Sequence, residues 1–430
     1  MTARTKSGPI GALRRMPVYY GWVIVACAMG SNVARQAAAV ATLSMFIVPM
    51  TLEFGWSRTA ISGAVSLGSL LGALAAPSVG PLADRHGSRA LLVASAAVVS
   101  ACCVALAGTR SLAWFYAAFA LSRMTFSTPF DVGIYAAVAK WFVRRRARAM
   151  SLVAVSIGAG LAVIPLCAQL VIVGWGWRAG WLALAAFVLL AGALPQWLLL
   201  VRQPEDIGLR PDGDAAARAP VESRTGEPAS GDAHWEEHSF TRAEALRTPT
   251  LWLLMAYTLL MFPVQAGISL HQAPHLIERG LSPALAAGVV SAFSLAAAGA
   301  SLVFGAAGDR APLRVSLFAA AALAALGALA MRSIASPAGA FGSAIVFGAG
   351  LGGVLTIVPA AWASCFGRAH YGAIRGVTLP AQVGGQALGP LLAGALHDAT
   401  GDYGAGLAVF AALAALAAAC ALAVRPPRRG

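Results

Sequence analysis

Charge is what this sequence has least of. Asp, Glu, Lys and Arg together make up 11% of 430 residues, where a soluble domain carries about a quarter, so a soluble enzyme of ordinary composition is excluded. Acids are the scarcer sign: there are 17, and 10 of them fall between positions 202 and 248. Cysteine is sparse too. Cys27, Cys102, Cys103, Cys167, Cys365 and Cys420 all lie in or at the ends of apolar runs, where the thiol behaves as a small hydrophobe, and neither a disulfide framework nor a metal motif follows. His234 and His238 stand four apart in the polar stretch without a second ligand pair and read as solvated residues. The paired acids or clustered ligands that a membrane enzyme needs are missing, so neither catalysis nor a bound cofactor is expected.

Apolar length takes the place of charge. Hydrophobic residues form 59% of the chain and recur in blocks of about 20 or more, the length a helix needs to cross a hydrocarbon core of about 30 Å. Bounded by charged and turn residues, twelve blocks run near 19 to 45, 58 to 80, 88 to 108, 112 to 139, 148 to 172, 177 to 201, 250 to 273, 283 to 307, 312 to 334, 337 to 362, 372 to 397 and 403 to 424. Barrel strands are far shorter. The sequence therefore predicts an all-α membrane protein of twelve transmembrane helices in two six-helix halves.

The net charge of +14 raises the question of nucleic acid, but the placement of the basic residues answers it. With both termini cytoplasmic, 24 of the 31 Lys and Arg fall in inside segments, five (Arg58, Arg110, Arg178, Arg279 and Arg332) fall outside, and two, Arg35 and Arg123, lie within spans. That asymmetry obeys the positive-inside rule; the partner is a lipid bilayer, and no nucleic acid is expected. Arg14 and Arg15 precede an apolar run too long for a signal peptide and without a small-residue cleavage site. The expected organisation is a cytoplasmic tail over 1–18, a first six-helix half over 19–201, a cytoplasmic linker over 202–248, a second half over 249–424 and a cytoplasmic tail over 425–430. The linker, rich in Pro, Gly, Ala and Arg, reads as mostly disordered except where Thr241 and Glu244 spell a capping box.

An internal repeat joins the halves. Gly80, Asp84, Arg85 and Arg89 after span two recur as Gly305, Asp309, Arg310 and Arg314 after span eight, offset by 225 residues, and Ser57 with Ser282, Gly63 with Gly288 and Ser66 with Ser291 share the offset. Gly in this turn allows close helix approach, and Asp84 has the reach to pair with a basic residue or a helix N-terminus across the seam between halves. Gly80, Asp84, Arg85, Arg89, Gly305, Asp309 and Arg310 are therefore candidate gating residues; the alternative is a turn that only fixes topology. Two six-span halves in parallel repeat, a long linker and this doubled turn resemble the major facilitator superfamily.

Further segments resemble its bacterial monocarboxylate-transporter-like branch, which includes oxalate and formate exchangers. They are Tyr20-Gly21-Trp22, Gly55-Trp56-Ser57-Arg58, Lys140-Trp141-Phe142 with Arg145 and Arg146, Gly176-Trp177-Arg178, Pro204-Glu205-Asp206 with Gly208-Leu209 and Pro211-Asp212-Gly213, Ala245-Leu246-Arg247-Thr248-Pro249, and Gly389-Pro390 with Gly394, Asp398, Gly401 and Tyr403. The chain departs from characterised members in span eight, which holds no charge between 283 and 304, and in the middle of span eleven, which has Thr378, Gln382 and Gln386 where oxalate exchangers use a basic residue.

The resemblance implies a cavity lined by spans one, four, seven and ten. On span one, Arg35 with Asn32 and Gln36 forms a polar patch; on span four, Arg123 has Ser127 one turn on and Asp131 two turns on. Asp131 is the only acid in a central span, and an interior with two guanidinium groups and one carboxylate favours an anion, which Arg grips through paired hydrogen bonds. Gln265, Gln382 and Gln386 are further candidates for substrate contact, with interhelical hydrogen bonding as the alternative reading. For Arg35 and Arg123 the alternative is helix packing, with Arg123 neutralised by Asp131. Asp131 and His271 are the candidate proton carriers.

The function so implied is a secondary transporter of a small organic anion in the bacterial plasma (inner) membrane, a monomer coupling substrate to protons by symport and alternating access. The competing reading is an efflux antiporter for a drug or metabolite, although Gly158, Gly160 and Pro165 do not reproduce the Gly-Pro motif those antiporters carry in span five. A membrane enzyme or a non-transporting receptor is the reading from another class.

Overall fold

The computed structural model describes residues 19–213, 239–334 and 336–427; expectations for 1–18, for 214–238 with His234 and His238, and for 428–430 lie outside the described residues. The described residues form helices joined by short turns, with no strand among them. Among the described residues, eight helices are long and apolar enough to cross a membrane. Two of these, Gly63–Ala107 and Arg146–Leu199, run 45 and 54 residues and so cross twice. Each turns at a glycine, Gly87 (φ 80°) or Gly176 (φ 85°), in the left-handed region that side chains disfavour. Spans four (112–141) and eleven (Tyr371–Thr400) complete twelve; their hydropathy is lowered by Arg123, Asp131 and Lys140 in one and by Arg375 and Asp398 in the other.

Spans one and four depart from the regular helices expected. Span one runs as Gly21–Ala34, tightens into a 3-10 turn at Arg35–Ala38, passes through extended Ala39 (ψ 154°) and resumes as Val40–Phe54. Arg35 and Gln36 thus sit in the break and Asn32 in the last turn before it, and Gln36 Nε2 donates to the Asn32 carbonyl at 3.1 Å. Span four divides at Thr128 into Leu112–Ser127 and Pro129–Trp141. Pro129 has no N–H to give and its ring pushes the preceding residue out of helical geometry, so Asp131 sits in the first turn of a new segment, not two turns along from Arg123.

Side-chain caps mark the repeat. Ser57 Oγ accepts the Ala60 N–H at 3.1 Å and Ser282 Oγ the Leu285 N–H at 3.3 Å, starting spans two and eight alike. Gly176 and Gly401, again 225 apart, both hold positive φ between the last two spans of their halves. The halves meet where span two packs on span eleven and span eight on span five. At the end of the bundle carrying the two Asp-Arg turns, here the basic end, a Cβ on Gly80 would lie 2.2 Å from the Gly372 carbonyl, and one on Gly376 2.4 Å from that of Ala76. Gly305 is pressed on Ser151 in the same way, a Cβ there falling 2.4 Å from Oγ. Backbone thus touches backbone across the seam.

The first part of the linker is folded, against the expectation of disorder. Pro204–Ile207 and Pro211–Gly213 make 3-10 turns that bury Pro204, Ile207 and Asp212. Farther on, Thr241 and Glu244 form the capping box of Arg242–Leu246.

Candidate functional site

Asp131 stands between two arginines from opposite halves. It is 5% exposed. Arg35, in the break of span one, places Nη1 3.6 Å from Oδ1, and Arg375, in the first turns of span eleven, donates from Nη2 to Oδ2 at 2.9 Å. Arg375 is 1% exposed and also donates to the Gln382 side chain. Its Nε and Nη1, like Arg35 Nε, are buried without an acceptor. A buried donor without a partner forfeits its solvation for nothing, so the arrangement is short of acceptor oxygen.

Arg123 is not neutralised by Asp131, as its packing alternative had it. It makes no ion pair with Asp131; its Nε donates to Ser69 Oγ at 3.3 Å and its guanidinium lies 4.3 Å from the centre of the Phe126 ring. Arg35 lies over the same ring at 4.9 Å. Phe126 therefore holds two cations near one another through its π faces.

The amides are engaged with protein. Asn32 Nδ2 donates to the Val153 carbonyl (2.8 Å) and Ser156 Oγ (2.9 Å), fastening span one to span five. Gln386 donates to Gln265 at 3.3 Å, joining spans eleven and seven, and Gln382 serves Arg375. His271 is not brought to Asp131: near the other end of span seven its Nδ1 lies 3.3 Å from the Tyr403 hydroxyl, beside a small cavity within the second half that Gln272 and His275 also line. Sequence reasoning missed Arg375, assigning it to the inside loop before span eleven. The signal was present, since Arg375 lies seven residues before Gln382 on one helix.

At the basic end, Asp84 accepts the N–H groups of Gly372 (3.0 Å) and Ala373 (2.7 Å) at the start of span eleven. Asp309 accepts those of Ala147 (2.9 Å) and Arg148 (3.4 Å) at the start of span five, and pairs with Arg148 Nε at 3.1 Å. Of the two partners weighed for Asp84, the geometry presents the helix N-terminus, where a carboxylate meets unsatisfied donors and the positive pole of the dipole. Burial pushes the Asp309 carboxyl above the ordinary carboxylate value, against the pull of the N–H groups and of Arg148. Arg85 and Arg310 are exposed, and Arg89 turns within its own half to the Trp197 carbonyl and ring. Arg89 therefore does not bridge the seam.

The profile of the Major Facilitator Superfamily matches residues 24–382 and 278–430. The chain belongs to that superfamily. Among solved structures it is similar to the transporter FucP in the outward conformation, with 14% identity, TM-score 0.67, and coverage of 94% of this chain and 98% of that one. A variant of the E. coli fucose:proton symporter FucP gives 12% identity, TM-score 0.66 and coverage of 93% and 97%. A bacterial homologue of the iron transporter ferroportin in the outward-facing state gives 16%, 0.69, and 94% and 99%. No curated protein matches the sequence.

Proposed function

We propose that this superfamily transporter carries a small organic anion, of the monocarboxylate kind, together with protons. The observation that supports the reading is the central imbalance: Asp131 answers both Arg35 and Arg375, whose buried N–H groups are left in part without acceptors, and Arg123 adds a third guanidinium beside Arg35 on the Phe126 ring. A carboxylate supplies two acceptor oxygens and one negative charge, the two things in deficit there. Asp131 is the coupling group of this reading. Protonated, it releases Arg375, and the tie between the halves at mid-depth weakens; His271, held against Tyr403, serves the site less directly.

The basic end is the cytoplasmic one, in keeping with the positive-inside rule, and the molecule belongs in a bacterial plasma membrane. Closed seams at that end correspond to an outward-open state, the conformation named for the FucP and ferroportin-homologue structures. Alternating access then proceeds by rocking the halves about the arginine site.

The test is ligand-dependent melting of the purified protein with small carboxylates, aromatic acids, sugars and cationic drugs, each at several pH values. A carboxylate is expected to raise the melting temperature, by an amount equivalent to about 2.7 kcal/mol at a hundred times its dissociation constant. Arg123→Gln is expected to remove that shift and to abolish carboxylate uptake into proteoliposomes, while membrane insertion is unchanged. Full uptake by an inserted Arg123→Gln protein takes Arg123 out of the site; stabilisation by cations or sugars alone turns the reading to efflux.

A further inference from the structure

Two carboxylates grip the start of span five at once. Asp309 comes across the seam to the N–H groups of Ala147 and Arg148. From the linker, packed on the half that holds span five, Asp212 takes the three N–H groups of the preceding turn: Val143 (3.0 Å) and Arg144 (2.8 Å) on Oδ2, Arg145 (3.1 Å) on Oδ1. Asp212 is 6% exposed and holds φ at 60°, a left-handed conformation uncommon outside glycine. That backbone angle is kept by packing, since Gly213 next to it, at φ 75°, lies against the Tyr19 ring. The Tyr19 hydroxyl is within hydrogen-bond distance of the Arg210 carbonyl (3.1 Å) and the Trp141 carbonyl (2.9 Å), so the strap is fastened to spans one and four as well.

The other described end of the linker does the same for the second half. Shifted by the 225-residue repeat, the 143–145 turn becomes 368–370. There Ser239 Oγ accepts the Ala369 N–H at 3.2 Å, and the Phe240 N–H donates to the Phe366 carbonyl at 2.9 Å. Between the two turns, Arg368 donates to the Lys140 carbonyl at 2.9 Å and pairs with Glu205 of the strap. Each end of the linker thus sits on the turn whose next N–H groups hold a cross-seam aspartate.

We propose that Asp212 is a positioning residue of the basic-end gate: it fixes the 143–145 turn so that the Ala147 and Arg148 N–H groups are presented to Asp309, and through it the 204–213 strap sets how firmly the seam closes. The physical reason is a division of labour. Bonds from Asp212 stay within one half and survive opening, whereas those from Asp309 must break in every cycle. A helix start left without Asp212 has three more unsatisfied donors and frays, and frayed N–H groups no longer line up for a carboxylate from the other half. This rests on the alternating-access reading above but on no particular substrate.

Hydrogen–deuterium exchange of the full chain in nanodiscs, without ligand, tests it. Asp212→Gly removes the carboxylate and tolerates the backbone angle; Asp212→Asn keeps the angle and one acceptor oxygen. Asp212→Gly is expected to speed exchange at 143–145 and also, by about tenfold or more, at 147–149 and across the seam at 305–311, in line with the loss of charge-assisted bonds; Asp212→Asn gives a smaller rise at the same places. Faster exchange confined to 143–145 overturns the proposal, leaving Asp212 a local turn residue. Where Asp212→Gly does not insert, Asp212→Asn is judged by the same spread or confinement. Asp309→Asn separates the two ideas: its own failure to speed exchange at 147–149 and 305–311 removes the gate at this seam, and with it the role of Asp212, while leaving the anion site standing.

Discussion

Asp131→Asn is expected to abolish transport and to destabilise the protein strongly. The substitution leaves Arg375, 1% exposed, without its counter-charge, and removing one member of a buried pair costs about 3–5 kcal/mol, because the orphaned charge stays out of water. The double substitution Asp131→Asn with Arg375→Gln should recover much of the lost melting temperature, since a neutral amide pair needs less solvation, but not the transport. Melting curves of the two single variants and the double variant form the measurement. An unchanged melting temperature for Asp131→Asn would show that Arg375 draws its compensation elsewhere.

Replacing Gly80 or Gly376 by Ala is expected to hold the basic end open. Each added Cβ meets a backbone carbonyl, of Gly372 at 2.2 Å or of Ala76 at 2.4 Å, and backbone has no rotamer by which to yield. Overpacking of this kind costs about 1–3 kcal/mol, here charged only to the closed arrangement, so the closed-to-open ratio should fall by about 5- to 150-fold. The measurement is exchange at 371–376 in nanodiscs. The predicted rise follows from Asp84 losing its hold on the Gly372 and Ala373 N–H groups; parent-like protection there would mean that the helices slide to accommodate a methyl group.

The helical architecture was legible because a bilayer demands long apolar blocks, and the 225-residue repeat made the duplication visible without coordinates. The breaks in spans one and four were less so. Pro129 signalled one of them, yet at Arg35–Ala39 neither a proline nor a glycine marks the interruption. Arg375 was misplaced for a reason rooted in charge counting: at the membrane boundary, a basic residue anchoring topology and one reaching inward to Asp131 look alike in one dimension. Hydrogen bonds between amides, such as Gln386 with Gln265, depend on which faces two helices turn toward each other, and residue order does not carry that. The folded strap at 204–213 was hidden by its composition, since Pro, Gly and Asp serve a buried turn as readily as an open chain.

The two cross-seam clasps carry a consequence for origin. The acceptors Asp84 and Asp309 are separated by the repeat length, and so are the donors, Ala147 and Arg148 in one half matching Gly372 and Ala373 in the other. Each six-helix half therefore carries both hook and eye. An ancestral half-length chain with this layout would have closed on a second copy of itself through two identical clasps, so the closure device requires no invention after gene fusion.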